Sequence, residues 1–291
     1  MVKRTNLALL AVILLFGAAG SSKAQDNATG WQLDLKRISL NLSSTQVENA
    51  GDYANFSDSR LTADKQMLVQ SMFDFEAAFA APKYLWNNEL LTEYGQAAIT
   101  TQNGVETKTE SADKITATSG IAYKIWKLED FMGGFDAGPF ANASYETEFT
   151  NRDGMPYRKL LRGRLGAKAF EGKYIKSLYA AVVFEEDYTY PKSSANIAWE
   201  TGLKMERPIR EGVKAFCGVS FRDYFSHSEN LPTNMDYEFE ANVRMDVLVY
   251  KNLSVAPFLN YYDAKGEYID RLGRNVYAGI SFSFSRILKA R

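Results

Sequence analysis

The sequence predicts an all-β chain: a single transmembrane antiparallel up-and-down β-barrel of about twelve strands. Three observations carry that expectation. The first is period two: from Asp236 to Tyr250, Tyr237, Phe239, Ala241, Val243, Met245, Val247 and Val249 alternate with Asp236, Glu238, Glu240, Asn242, Arg244 and Asp246, a strand signal. One face is apolar and the other charged. Lipid tolerates no unpaired backbone and few charges, so such strands suit a closed barrel with lipid outside and water inside. The second is loop sorting: connections after odd-numbered strands are the longer ones, as in barrels with short periplasmic turns and longer extracellular loops. The third is that, beyond the N-terminus, no run approaches the ~20 apolar residues of a spanning helix. The mean hydropathy is negative, which a barrel explains because half of each strand is polar.

Residues 1–24 read as a secretory signal peptide. Lys3 and Arg4 precede an apolar run from Leu7 to Phe16, small residues follow from Gly17, and Ser22-Lys23-Ala24 is an A-x-A-like cleavage site. The apolar core is too short for a membrane anchor. Residues 25–291 form the expected single barrel domain. Cleavage removes three cations and leaves 31 basic against 35 acidic residues, with no surplus to recommend nucleic acid as a partner. Cys217 is the only cysteine, so no internal disulfide can form and stability must come from packing and backbone pairing.

Alternation bounded by Gly, Pro, Asn, Asp or charged clusters gives twelve spans: 31–43, 64–80, 83–96, 113–126, 131–150, 157–170, 174–188, 195–206, 211–225, 236–250, 252–262 and 272–286. In the second, Met67, Val69, Phe73, Phe75, Ala77 and Phe79 oppose Gln70, Asp74 and Glu76. The fourth sets Ile115, Ala117, Ile121, Tyr123 and Ile125 against Lys114, Thr116, Thr118 and Lys124. The eighth sets Ile197, Trp199, Leu203 and Met205 against Asn196, Glu200, Lys204 and Glu206. In the ninth, Val213, Ala215, Cys217, Val219 and Phe221 share a face, which makes Cys217 a small lipid-facing residue. Trp31, Tyr84, Trp86, Trp126, Tyr145 and Trp199 fall near strand ends, where interfacial girdles form.

Three features complicate the pattern. Pro139 and Pro257 fall inside strands, and a barrel has no free edge to excuse a missing donor, so each predicts a bulge or a shifted boundary. The first strand changes phase at Lys36-Arg37. Ten and fourteen strands stay open.

No catalytic, cofactor-binding or metal site is expected. The only His is His227 and the only Cys is Cys217, which nearly excludes imidazole or thiolate ligation. Glu48, Asp52, Asp58 and Asp64 offer carboxylates for calcium without a fixed motif. His227-Ser228-Glu229-Asn230 is the one hint of hydrolysis, in the 226–235 loop, but adjacent strand residues point to opposite faces, which places the pair poorly for activating Ser228. The inward face is richer. Arg162, Arg164, Lys168, Glu185, Glu200, Lys204, Arg222, Glu238, Glu240, Arg244 and Asp246 are the lumen-lining candidates, able to line a water-filled pore or to pair into ladders that fill it.

Tyr277-Ala278-Gly279-Ile280-Ser281-Phe282-Ser283-Phe284 resembles the C-terminal insertion signal of bacterial outer-membrane barrels, although the chain continues to Arg291. That resemblance implies recognition by an outer-membrane assembly machinery. Asn88 to Tyr123, with Leu90-Leu91-Thr92-Glu93-Tyr94-Gly95, a polar loop and Ser111-Ala112-Asp113-Lys114-Ile115, is similar to uncharacterised porin-like barrels of Gram-negative bacteria classed as a domain of unknown function. It implies a compartment, the bacterial outer membrane with its lipid as partner, and transfers no active site. The expectation is therefore a non-enzymatic barrel, either a small channel with a charged lumen or a structural or surface-binding barrel. The alternatives are a lipid-modifying hydrolase of the outer membrane and a soluble periplasmic barrel whose apolar face turns inward around a ligand.

Overall fold

The computed structural model describes residues 29–62, 66–100, 106–150 and 156–289; the expected signal peptide lies outside them. The described chain is almost entirely strand: β1 (Gly30–Glu48), β2 (Gln66–Ala80), β3 (Tyr84–Thr100), β4 (Glu106–Tyr123), β5 (Trp126–Leu128), β6 (Phe135–Thr147), β7 (Leu160–Phe170), β8 (Ile175–Asp187), β9 (Ser194–Arg210), β10 (Val213–His227), β11 (Met235–Tyr250), β12 (Leu253–Gly266) and β13 (Gly273–Lys289). Neighbours in sequence pair antiparallel, β1 closes on β13, and β4 pairs with β6. Twelve strands make the wall; β5 is an extra short strand hydrogen-bonded only to β6.

Side-chain exposure along the strands shows which way the barrel faces. Along β1, Ile38, Leu40 and Leu42 are 47%, 47% and 44% exposed, whereas Ser39, Asn41 and Ser43 are 5%, 6% and 5% exposed. Val69, Leu161, Leu165, Val182, Phe184, Trp199, Val243, Ile280 and Phe282 continue the outer apolar surface, while Gln70, Ser144, Arg162, Glu185 and Glu200 are buried inside. This is a polar interior in an apolar coat, the reverse of a soluble barrel. The soluble alternative, which needs apolar side chains inward, is not the arrangement found.

Phase and proline explain the irregularities. β1 is bulged at Lys36, with register shifts against both β2 and β13, which is where its alternation changes phase. Around Pro139, β4 and β5 supply one more residue than β6 between the pairs Ala122–Phe140 and Trp126–Ala137. The missing donor thus sits at a bulge. Pro257 behaves differently: β11 and β12 skip the rungs between Arg244–Phe258 and Val247–Val255 and resume in the same register. Neither a bulge nor a boundary was needed there, because two interrupted rungs absorb one absent N–H.

Two connections also depart from expectation. The long loop expected over 97–112 is mostly ladder, since β3 and β4 stay paired out to Thr100–Glu106. The turn expected at 127–130 is the eleven-residue segment 124–134, which holds β5. Elsewhere loops sort by end, with 81–83, 171–174, 211–212 and 251–252 at one rim and the described parts of 49–65 and 148–159, with 188–193, 228–234 and 267–272, at the other. Cys217 shares the outward parity of its partners Met205 and Val243, yet is only 2% exposed. A small side chain between longer ones is screened by them, so it is covered instead of facing lipid.

Candidate functional site

The lumen is built by register. Charges placed on inward positions of adjacent strands fall opposite one another: Arg162 pairs with Glu185 across β7–β8, and Arg222 lies between Glu200 on β9 and Glu238 on β11. Direct cross-strand neighbours have Cβ atoms about 5 Å apart, so long side chains of opposite sign meet without backbone adjustment. Arg222 Nη1 donates to Glu238 Oε2 at 2.7 Å and its guanidinium also pairs with Glu200. Arg164 reaches over β8 to Glu200 at 2.9 Å, past the small Ala181 that sits opposite Glu200. Tyr179 donates its hydroxyl to the same carboxylate at 2.5 Å.

The long-loop mouth is closed from within. Segment 49–62, a 3-10 turn (Ala50–Tyr53) followed by a one-turn helix (Ser59–Thr62), folds into the barrel. Tyr53, Phe56 and Leu61 bury against Tyr262 and Ala264 of β12. Tyr53 donates its hydroxyl to the carbonyls of Ala264 and Arg271, and Asn275 donates to the carbonyl of Arg60. This strap ties into the wall charges. Arg60 holds Asp58 at 2.7 Å and Glu240 at 3.1 Å, lies 3.9 Å from Glu238, and stacks its guanidinium 3.8 Å from the Tyr262 ring centroid.

Followed round, these contacts form a closed circuit. Glu146 pairs with Arg158 at 2.6 Å; Arg158 lies 3.9 Å from Asp58; Asp58 pairs with Arg60, and Arg60 with Glu238. The Tyr224 hydroxyl lies 3.3 Å from both Glu238 and Glu185, and Arg162 joins Glu185 back to Glu146. Burial alone would push the Asp58 carboxyl up, but the guanidinium of Arg60, then that of Arg158, holds it well below the usual carboxylate range. Burial works against the charge on Arg60 too, and Asp58 outweighs it. The strap is therefore anchored by groups that stay ionised.

Below the circuit lies a cavity of about 220 Å³, bounded by Arg60, Lys114, Arg164, Glu200, Glu240 and Tyr262 among others. A smaller one of about 50 Å³ lies on the far side of the strap, beside His227 and Tyr190. Of the sequence candidates, Arg162, Arg164, Glu185, Glu200, Arg222 and Glu238 meet in one network and Glu240 joins through the strap. Arg244 pairs with Asp246 at 2.6 Å in a separate inward pair. Lys168 lies 6.0 Å from the Phe140 ring, and Lys204 sits opposite Ser177 and Gly218; the network does not include either. The sequence reading missed Arg60, Arg158, Tyr224 and Tyr262, whose partners lie on other segments.

The remaining candidate chemistry comes apart. Asp52 pairs with Arg271, Glu48 with Arg274 and Asp58 with Arg60, while Asp64 lies outside the described residues. These carboxylates face arginines, and no group of metal-binding side chains occurs among the described residues. His227 Nδ1 lies 2.9 Å from Asn196 Oδ1, whereas Ser228 Oγ accepts the backbone N–H of Ala195 at 2.9 Å. The two side chains are engaged with different partners.

The class defined by this geometry is a closed twelve-strand antiparallel barrel with an apolar coat, a charged lumen and an inward-folded strap. No family model matches the chain, and no curated protein matches it. Among solved structures it is similar to an outer membrane channel from Pseudomonas putida F1 (TM-score 0.46, 8% identity, 91% of this chain and all of that one). It is similar also to the NanC porin (0.41, 9%, 84% and 98%) and to outer membrane phospholipase A from Escherichia coli (0.41, 12%, 84% and 92%). At such identities the likeness is one of fold alone.

Proposed function

We propose that this protein is an outer-membrane barrel that acts as a narrow channel for small hydrophilic solutes, closed at its loop-bearing mouth by the 49–62 strap. The apolar coat supports the membrane reading. Each wall strand has 11 to 19 residues, enough for the ~9–11 that a tilted strand needs to cross the hydrocarbon core. The position of Tyr277–Phe284 within β13, the strand that closes the barrel on β1, supports delivery by an assembly machinery that reads that strand.

The observation that carries the channel reading is the junction of strap and cavity. A charged cavity of about 220 Å³ is capped by a segment whose Arg60 and Asp58 hold it through side-chain contacts. Ion pairs of this kind can exchange partners with water or solute without breaking the wall ladders, so the cap can part from the barrel once Tyr53, Phe56 and Leu61 leave Tyr262 and Ala264.

Single-channel recording of the purified protein in a planar bilayer tests this, run beside an Asp58→Asn, Arg60→Ala variant. The wild type is expected to open briefly and rarely, and the variant to dwell open several-fold longer. If both stay silent while heat-modifiable gel migration shows them folded, the channel reading is wrong and the barrel is a plugged one.

A further inference from the structure

The two rims of the barrel carry opposite charge. Taking each connection with the two residues on either side, the short-turn rim, with the final two residues of β13, holds nine basic against five acidic residues. The described part of the five connections named above at the long-loop rim holds seven basic against eleven acidic. Every connection at the short-turn rim contributes at least one cation, among them Lys83, Lys127, Lys176, Arg210 and Lys251.

The same rim also carries eight strongly exposed apolar side chains. Ile125, Trp126, Phe131, Ile209, Val249, Tyr250, Ile287 and Leu288 are each more than half exposed. Cations and rings are interleaved: Lys251 lies 5.1 Å from the Tyr250 ring centroid and Lys173 lies 5.0 Å from that of Tyr174. Aromatic rings settle at the level of lipid headgroups, and lysine stems lie along apolar surface with the ammonium directed to water. An ammonium held at that depth is level with phosphates.

We infer that the short-turn rim is a docking surface for anionic phospholipid headgroups of the leaflet it faces. The inference rests on the membrane reading above and not on the channel reading. Charge complementarity selects the occupant. Lys124 is buried between Asp136 and Glu171, and Lys127 and Lys214 hold exposed pairs with Glu129 and Glu206. The remaining cations are spread round the rim, Lys173 and Lys251 beside aromatic rings, and such a spread matches many small amphiphiles with an anionic head and an acyl tail. A single folded acidic partner would present its charge on one face.

The test uses the intrinsic tryptophans, of which Trp31, Trp86 and Trp126 lie toward this rim. The barrel is folded into vesicles containing brominated phosphatidylglycerol or brominated phosphatidylcholine, and quenching gives the relative lipid affinity. The wild type is expected to prefer phosphatidylglycerol several-fold. Each rim charge near an anionic surface counts for on the order of fivefold, so Lys83→Gln, Lys127→Gln, Lys176→Gln, Lys251→Gln together should bring the preference close to unity. Salt at ~1 M should do the same by screening. Equal quenching of the folded wild type by both lipids would overturn the inference and leave the rim to a soluble polyanion. A preference unchanged in the quadruple variant would also overturn it. Failure to enter vesicles of either lipid would instead refute the membrane reading.

Discussion

Replacing Glu200 with Ala removes the carboxylate on which three side chains converge: Arg164 at 2.9 Å, the Tyr179 hydroxyl at 2.5 Å, and Arg222. The losses are unequal. Arg222 keeps Glu238 at 2.7 Å, but Arg164 keeps only the Ser144 hydroxyl at 3.1 Å. Removing one partner of a buried ion pair costs about 3–5 kcal/mol, mostly from the charge left behind. With one guanidinium orphaned and the other still paired, the expected loss is at the low end, about 3 kcal/mol. The assay is reversible urea unfolding of the barrel in vesicles, followed by tryptophan fluorescence and heat-modifiable migration. Arg164→Leu added to Glu200→Ala removes the orphan and should recover a large part of the loss. A Glu200→Ala change below about 0.5 kcal/mol, the range of ordinary surface substitutions, would refute the reasoning, because it would mean that lumen water already solvates these charges.

Acidity gives a second prediction. The native Asp58 carboxyl titrates well below its unfolded value of about 3.9, so its contribution is complete above that value and disappears only as pH falls through the depressed native one. On the channel proposal, open dwell times should therefore be unchanged between about pH 5 and pH 8, whereas Asp58→Asn should lengthen them at neutral pH; a midpoint near pH 6 would show that another group holds the strap. Barrel closure gives a third. A Cβ on Gly279 would lie 2.1 Å from the carbonyl oxygen of Leu42 on β1, whereas one on Gly163 meets nothing within 4 Å. Gly279→Ala should lower the heat-modifiable folded fraction while Gly163→Ala leaves it intact, and equal yields would refute the close approach of β1 to β13.

Period two alone determined most of the wall. Side chains of a strand must alternate between faces, so Ile38, Val69 and Phe282 on one side and Gln70, Arg162 and Glu200 on the other were legible without coordinates. All twelve spans contain a wall strand or most of one. Once neighbours pair, register follows, and the Arg162–Glu185 and Arg222–Glu238 contacts are its direct consequence. The outer part of the β3–β4 hairpin was not legible, because the polar run after Gln96 read as a loop over 97–112, whereas the ladder shifts register at Gly95 and Gln96 and continues to Thr100–Glu106.

What only the tertiary structure decided was inside versus outside, and the strap. Alternation is symmetric between a barrel with its apolar face outward and one with it inward, and only closure of β1 on β13 assigns the faces. The strap has no period to read: Asp58 and Arg60 are two residues apart, but the groups that fix them, Glu238, Glu240, Tyr262 and Asn275, lie some 180 to 215 residues further along the chain. Such contacts depend on where a closed wall brings distant strands, and no local pattern encodes that distance.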